Sequence, residues 1–231
     1  MGFDFKKEDN RLLLLLLLTD LIFILVHFLY RIDAVYDINI ISNNPLFSIE
    51  KDWGYPELFQ YIKEYWIIIL LVILSFVNKH IIYFSWTLLF IYLLLDDSLQ
   101  FHENIGDYLV NTFNIQPMFN LRAQDLGELL VSAFFATFLF SFIAISAFFS
   151  STKERILSLH LSILVFLLAV FGVIVDMLHQ AVPCCTSMWA LMEDGGEMVI
   201  MSFILWYIFG FKVSMDIDVN IFIYIKKRMI E

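Results

Sequence analysis

Six long runs of apolar residues constrain the fold of this chain more than any other feature. They cover residues 12–30, 65–77, 81–95, 129–149, 156–175 and 192–211. A helix needs about 20 mostly apolar residues to cross the hydrocarbon of a bilayer, so the two short runs must recruit flanking residues or form one re-entrant hairpin. The chain is 61% hydrophobic, whereas soluble domains are about 45–50% apolar. The sequence therefore predicts an all-α bundle of six transmembrane helices, folded as a single domain over residues 1–231.

The basic residues predict the orientation of this bundle, because Lys and Arg accumulate in cytoplasmic segments. With the N-terminus inside, ten basic residues fall on the inner side and four on the outer side; the four are Arg31, Lys51, Lys63 and Arg122. We therefore expect both termini in the cytoplasm, in a bacterial inner membrane. The first span is expected to be retained, since no small-residue cleavage site follows it. Residues 32–64 are predicted to form an outer loop with a short interfacial helix at 56–64, and residues 213–231 a cytoplasmic tail.

Charge and motifs exclude several classes of function. The net charge of −10 argues against a nucleic-acid partner, because nucleic-acid backbones are themselves anionic. The predicted partners are the lipid bilayer and a lipid-like substrate. The chain contains no G-x-G-x-x-G, P-loop, G-x-S-x-G or H-E-x-x-H motif. Cys184 and Cys185 are adjacent, and we expect free or partner-bound thiols because a disulfide between neighbouring cysteines is strained.

Acidic and histidine side chains collect at the predicted outer ends of the last four runs. The third run ends near Asp96, Asp97, His102 and Glu103, the fourth begins near Asp125 and Glu128, the fifth ends at Asp176 and His179, and the sixth begins with Glu193, Asp194 and Glu197. Residues three or four positions apart share a helix face, which aligns Asp176 with His179 and Glu193 with Glu197. We therefore expect these groups to meet in one polar site in the outer leaflet.

Crowded carboxylates in a membrane need compensation, because a charge at the bilayer centre costs about 2.5–3.5 kcal/mol on insertion scales. Protonation, hydration at the helix ends or a bound cation would each provide it. Carboxylates with imidazole suit Zn, Fe or Mn, and carboxylates alone suit Ca or Mg. We expect a divalent metal, with zinc favoured and Fe, Mn and Ca left open. The expected ligands are Asp97, His102, Asp176, His179, Glu193 and Glu197.

A metal at this position predicts hydrolytic chemistry on a lipid or lipid-linked substrate. Glu103 or Glu128 would serve as the general base for a water molecule that the metal activates. Two other functions stay open on the sequence: a cation or proton pathway, and a non-catalytic accessory subunit of a membrane complex. The sequence does not separate an enzyme from these alternatives.

Each cluster also has a purely structural interpretation. The segment 96–103 can be a hydrated helix end, Asp176 and His179 can make an interhelical hydrogen bond, and residues 193–197 can form an acidic first turn at a positive helix end. Asp20, in the middle of the first run, is expected to pair with a neighbouring helix. His27 is expected to make an ordinary polar contact.

The acidic motifs also indicate a resemblance to other membrane proteins. An Asp-acid pair followed by His-Glu closes the third run (Asp96-Asp97-x4-His102-Glu103), an acidic cluster opens the sixth (Glu193-Asp194-x-x-Glu197), and Pro56-x-x-Phe59 precedes the second. In this pattern the chain resembles a group of small, uncharacterised bacterial membrane proteins, and the resemblance implies a six-span fold without supplying an activity. The intramembrane acids and histidines are also distantly similar to those of the seven-span hydrolases that include alkaline ceramidases and adiponectin receptors. This chain lacks their H-x-x-x-H pair in the last span and has one span fewer.

Overall fold

The computed structural model describes residues 7–182, 184 and 186–214. Its α-helices are α1 (Lys7–Val35), α2 (Tyr55–Asn78), α3 (Ile81–Leu99), α4 (Phe101–Phe113), α5 (Ala123–Phe148), α6 (Thr152–Ala169), α7 (Asp176–Ala181) and α8 (Thr186–Ser214). A short 3-10 turn lies at Pro45–Phe47, and a π-helical segment at Val170–Val175 joins α6 to α7. The predicted all-α fold is confirmed. Cys185 and the predicted tail beyond Ser214 lie outside the described residues.

Six helical stretches are long and apolar enough to cross a membrane. They are Asn10–Val35, Tyr55–Asn78, Ile81–Leu99, Ala123–Phe148, Thr152–Ala181 and Thr186–Phe211. The six-span bundle is therefore confirmed, and the two short runs belong to separate spans rather than to one re-entrant hairpin. Together these helices make the chain an integral membrane protein.

The second span is longer than the apolar run that predicts it. The sequence predicts a loop over residues 32–64, but α1 continues to Val35 and α2 begins at Tyr55. The predicted interfacial helix at 56–64 is instead the first part of α2. Lys63 and Glu64 precede the apolar run, yet both side chains are completely buried inside the bundle. Polar residues that face other helices can lie within a span, which is why hydropathy alone places the boundary too late.

The third span ends in a sharp turn of the chain. Helix α3 continues to Leu99, and Gln100 adopts a left-handed conformation with φ 53° before α4 begins. Asp96 and Glu103 therefore belong to two different helices.

The sixth span begins earlier than predicted. Helix α8 starts at Thr186, and its first turn contains no acidic residue. Glu193, Asp194 and Glu197 lie well inside the helix, so their interpretation as an acidic first turn is wrong.

Apolar side chains make up much of the core in the half of the bundle opposite to the acids, beside the buried polar Ser85, Ser146, Ser158 and Glu154. Fully buried apolar side chains there include Tyr83, Trp86 and Phe90 on α3, Leu157 and Leu161 on α6, and Ile204 and Phe211 on α8, each at most 1% exposed. Trp86 Nε1 donates a hydrogen bond to Ser158 Oγ at 3.1 Å, which links α3 to α6. We call this layer of seven apolar side chains the apolar plug.

Candidate functional site

One large cavity lies at the acidic end of the bundle. Its volume is about 1020 Å³, and helices from every part of the chain except α1 contribute to its wall. Twelve carboxyl side chains line it: Glu50, Asp52, Glu57, Glu64, Asp96, Asp97, Glu103, Glu128, Asp176, Glu193, Asp194 and Glu197. The basic and imidazole side chains on the wall are Lys51, His102 and Arg122. The wall therefore carries a large formal excess of negative charge.

Seven of the eight predicted site residues line this cavity. They are Asp97, His102, Glu103, Glu128, Asp176, Glu193 and Glu197. His179 lies behind the wall, where its Nδ1 is 3.1 Å from Glu193 Oε2. This contact joins α7 to α8, as the structural interpretation of His179 predicts.

The second span supplies three polar wall residues that the sequence reasoning missed. Glu57, Gln60 and Glu64 line the cavity, and Gln60 Nε2 donates to Glu197 Oε2 at 3.3 Å. Their spacing of three and four residues is that of one helix face, and this spacing is the signal that could have identified them. The assignment of residues 56–64 to a loop concealed it.

Glu64 is the most deeply buried acid on the wall. It is 0% exposed, and neither Oε1 nor Oε2 accepts a hydrogen bond from any described residue. The Asp97 carboxyl lies beside it, but two carboxylates offer no donor, so they can bond only when one of them carries a proton. Because an isolated buried carboxylate is costly, this position requires either a proton or a cation.

A close helix crossing places α4 against α5. A Cβ atom added to Gly127 would lie 2.5 Å from the Gly106 carbonyl oxygen, and one added to Gly106 would lie 2.8 Å from the Glu128 nitrogen. The absence of a side chain at both positions lets the two backbones approach this closely. The crossing carries His102 and Glu103, at the start of α4, to the cavity wall beside Glu128.

Asp96 fixes the start of α4 on the end of α3. Its Oδ1 accepts a hydrogen bond from the His102 backbone nitrogen at 2.8 Å, and its Oδ2 lies 3.1 Å from His102 Nδ1. Burial alone lowers the pKa of His102, but the hydrogen bond and charge of Asp96 and the charges of Glu128 and Glu103 raise it to about 9. Both contacts hold the imidazole of His102 against the Asp96 carboxyl.

The π-helical segment Val170–Val175 shapes the wall between α6 and α8. Such segments are rare and frequently occur at functional sites. Gly172 lies directly against the Glu197 carboxyl, because a Cβ atom at this position would overlap Glu197 Oε1. Asp176 follows the segment immediately and also lines the cavity. The segment therefore leaves room for one carboxyl group and presents another.

A buried ion pair next to the cavity ties α1, α2 and α8 together. Lys63 Nζ lies 3.0 Å from Asp20 Oδ1 and donates to the Met198 carbonyl oxygen at 2.7 Å and to Ser202 Oγ at 3.2 Å. Ser202 Oγ donates in turn to Asp20 Oδ2 at 2.5 Å. The expectation that Asp20 pairs with a neighbouring helix is confirmed. Its partner is Lys63, which lies within the predicted loop 32–64.

The loop between α1 and α2 covers the acidic end of the bundle. His27 Nδ1 accepts a hydrogen bond from the Ile49 nitrogen at 3.3 Å, and His27 Nε2 lies 3.6 Å from Glu50 Oε1. Arg31 NH1 lies 3.7 Å from Glu50 Oε2. These contacts hold Glu50 on the cavity wall, and they confirm that His27 makes a polar contact.

The predicted metal ligands do not form a ready-made metal centre. In the part of the chain that the structure describes, no three His, Cys, Asp or Glu side chains are arranged to hold one ion as they stand. The predicted ligands are spread around a wide cavity, and both histidines contact carboxylates. The donors left facing the cavity are carboxylate oxygens.

Comparison with known proteins places the chain in a family whose activity is not described. No curated protein and no solved structure matches the chain. A family model, described as a domain of unknown function (DUF8692), matches residues 13–213. This range includes every residue that lines the cavity, and it covers most of the chain. The protein therefore belongs to the DUF8692 family.

Proposed function

We propose that the protein binds a divalent cation in the acidic cavity and hydrolyses a lipid or lipid-linked substrate there. One observation supports the bound cation. Glu64 presents a fully buried carboxyl group, without a hydrogen-bond donor among the described residues, to a cavity already rich in carboxyl groups. Buried charges are normally paired or coordinate metals. One cation can compensate several of these acids at once, whereas one proton neutralises a single group.

The side chains on the wall favour a cation that prefers oxygen ligands. The Glu64 carboxyl interacts electrostatically with Asp97 and Glu197, so acids from α2, α3 and α8 act on one region of the cavity. Imidazole is less accessible there, because His102 contacts Asp96 and His179, which does not line the cavity, contacts Glu193. Carboxylate oxygens alone favour Mg²⁺, Ca²⁺ or Mn²⁺ over zinc. We propose that Glu64, Asp97 and Glu197 hold the cation.

The remaining acids supply proton transfer. A bound divalent cation would polarise a carbonyl or phosphoryl oxygen and lower the pKa of a nearby water. Burial raises the pKa of Glu103 above its ordinary value, against the opposing charge of His102, which brings the group closer to the range of an efficient base. Glu128, which accepts a hydrogen bond from Gln124 Nε2 at 2.8 Å, flanks it from α5. We propose Glu103 as the proton acceptor.

The apolar plug supports binding and chemistry over a cation or proton pathway. The cavity is also lined by apolar residues such as Leu139, Val165 and Met201. A pathway would need polar or hydrated groups through the other half of the membrane. Apolar side chains such as Trp86 and Phe90 fill much of that half, and its buried serines hydrogen-bond within the bundle, Ser85 with Ser146 and Ser158 with Trp86.

Replacing Glu64 with glutamine is expected to weaken divalent-cation binding by at least about tenfold. The substitution keeps the shape of the side chain and removes the charge that the cation would compensate. The measurement is Mn²⁺ binding to the full-length protein in nonionic detergent, followed by electron paramagnetic resonance. Asp107→Asn is the matched control, because Asp107 is exposed on α4 and does not line the cavity. Equal Mn²⁺ affinity in the two variants would reject the assignment of Glu64.

We also propose that the acidic end faces the exterior of a bacterial inner membrane, with both termini in the cytoplasm. The bias of Lys and Arg supports this orientation, and the burial of Lys63 within α2 removes one of the four basic residues counted on the outer side. A membrane-impermeant thiol reagent should label Cys184, which is exposed, on intact spheroplasts. It should not label a cysteine placed at exposed Lys153 in a variant without the native cysteines. The opposite labelling pattern would reverse the proposed topology.

A further inference from the structure

We infer that the ligand of the acidic cavity is an amphiphile with a positively charged amine head group and an apolar chain. The inference rests on the proposed function, because it concerns the same cavity and names the class of substrate. Three features of the wall support this inference: its charge, its apolar deeper half, and its exposed apolar side chains on α5 and α6.

The charge of the wall selects the sign of the head group. Twelve carboxyl side chains line the wall together with Lys51, Arg122 and His102. From outside the wall, His27 and Arg31 contact Glu50, and His179 contacts Glu193, so carboxyl groups still outnumber the basic and imidazole groups around the cavity. A divalent cation offsets two negative charges, so a formal excess of carboxylates remains after it binds. A phosphate head group would add to this excess. An ammonium group reduces it and can donate three hydrogen bonds to carboxylate oxygens.

The fully buried Glu64 is independent support for a ligand. Its two carboxyl oxygens line the cavity without a hydrogen-bond donor in the described part of the chain. By contrast, the buried Lys63 and Asp20 pair with each other, and Ser202 donates to Asp20. Glu64 has no such donor in the described part of the chain, which is what a site for an external cationic group requires.

The deeper half of the cavity suits a hydrocarbon chain. Along α5 the wall extends from Glu128 to Phe140, a distance of about 18 Å at the rise of an α-helix. Leu89 and Leu93 of α3 and Val165 of α6 face this deeper part. A metal ion or a small polar substrate makes no use of such a surface, whereas an apolar chain buries it favourably.

Exposed apolar side chains line the cavity at the depth of its apolar half. Ala133 and Ala136 of α5 line the cavity and are themselves exposed. Phe166 of α6 is 64% exposed and Ile174 of the π-helical segment is 51% exposed, and both also line the cavity. In a membrane-spanning bundle, exposed apolar side chains face lipid tails. An amphiphile in the bilayer can therefore place its chain between α5 and α6 while its head lies among the acids.

Binding of decylamine to the full-length protein tests both halves of the inference. The measurement is isothermal calorimetry in nonionic detergent with EDTA present, with decanol and butylamine as the matched ligands. We expect decylamine to bind at least about tenfold more tightly than either, a difference of about 1.4 kcal/mol. Equal binding of decylamine and decanol would overturn the cationic head group. Equal binding of decylamine and butylamine would overturn the apolar chain.

Two neighbouring substitutions locate the chain. Ala136→Phe fills the apolar half, whereas Thr137→Phe places the same ring at an exposed position of α5 that is not part of the wall. We expect the first to weaken decylamine binding by about tenfold and the second to leave it unchanged. Equal effects would overturn the proposed location. Mn²⁺ binding measured without amine separates the two proposals: decylamine binding without Mn²⁺ binding rejects the divalent cation alone, and the reverse result overturns the amphiphile alone.

Discussion

Replacing Lys63 with methionine is expected to lower the free energy of unfolding by about 3–5 kcal/mol, the usual cost of breaking a buried ion pair from one side. Lys63 and Asp20 are both 0% exposed, and Lys63 Nζ makes three polar contacts with α1 and α8. Methionine keeps the length of the side chain but leaves the Asp20 carboxylate without a counter-charge inside the bundle. Unfolding of the full-length protein by sodium dodecyl sulfate from mixed micelles measures the loss.

Two further variants separate the ion pair from the general effect of removing a lysine. Lys153→Met changes an exposed lysine at the start of α6 and should alter stability by less than about 0.5 kcal/mol. The double variant Asp20→Asn with Lys63→Met removes both charges and should recover much of the loss. If the double variant is as unstable as Lys63→Met, the uncompensated charge is not the cause.

Replacing Gly127 with alanine is expected to cost about 1–3 kcal/mol, as overpacking at a tight contact does, and to loosen α4. The added methyl group would meet the Gly106 carbonyl oxygen at 2.5 Å and its carbonyl carbon at 2.9 Å. These are backbone atoms of the neighbouring helix, so no side chain can rotate away to make room. Hydrogen–deuterium exchange over residues 101–113 should increase, because α4 depends on this crossing to reach the cavity wall.

Gly195→Ala is the matched control for this prediction. Gly195 also lies inside a helix, but the nearest atom to an added Cβ is Ile24 Cδ1 at 3.7 Å, which is an ordinary contact. Alanine there should be neutral, or stabilising by up to about 1 kcal/mol because it favours the helix. Similar losses of stability at Gly127 and Gly195 would show that the α4–α5 crossing is not tightly packed.

The number of spans and the location of the acids could be predicted because both follow from hydropathy. Each apolar run must satisfy its backbone hydrogen bonds locally in the bilayer, so it forms a helix whatever its neighbours are. Asp97, Asp176 and Glu197 lie near the same predicted side of the third, fifth and sixth spans, so alternation of the chain across the membrane brings them to one end. These residues line one cavity in the structure.

The contribution of α2 could not be predicted from local sequence. Lys63 and Glu64 are recognisable as buried residues of a span only from their neighbours on other helices. Asp20 of α1 pairs with Lys63, and Asp97 of α3 lies beside Glu64. Without those partners, residues 56–64 form a polar stretch of sequence, and such a stretch is predicted to be a loop. The docking of α4 escapes prediction for the same reason, because Gly106 and Gly127 have meaning only when their helices cross.

The sequence by itself determined six helices and the end of the bundle that carries the acids, since both depend on the transfer of individual side chains between water and lipid. Only the tertiary structure decided which acids are paired and which remain uncompensated. Asp20 is neutralised by Lys63, whereas Glu64 is buried with no donor in the described part of the chain. That difference depends on distances of a few ångströms between helices far apart in the chain, and hydropathy carries no information about those distances.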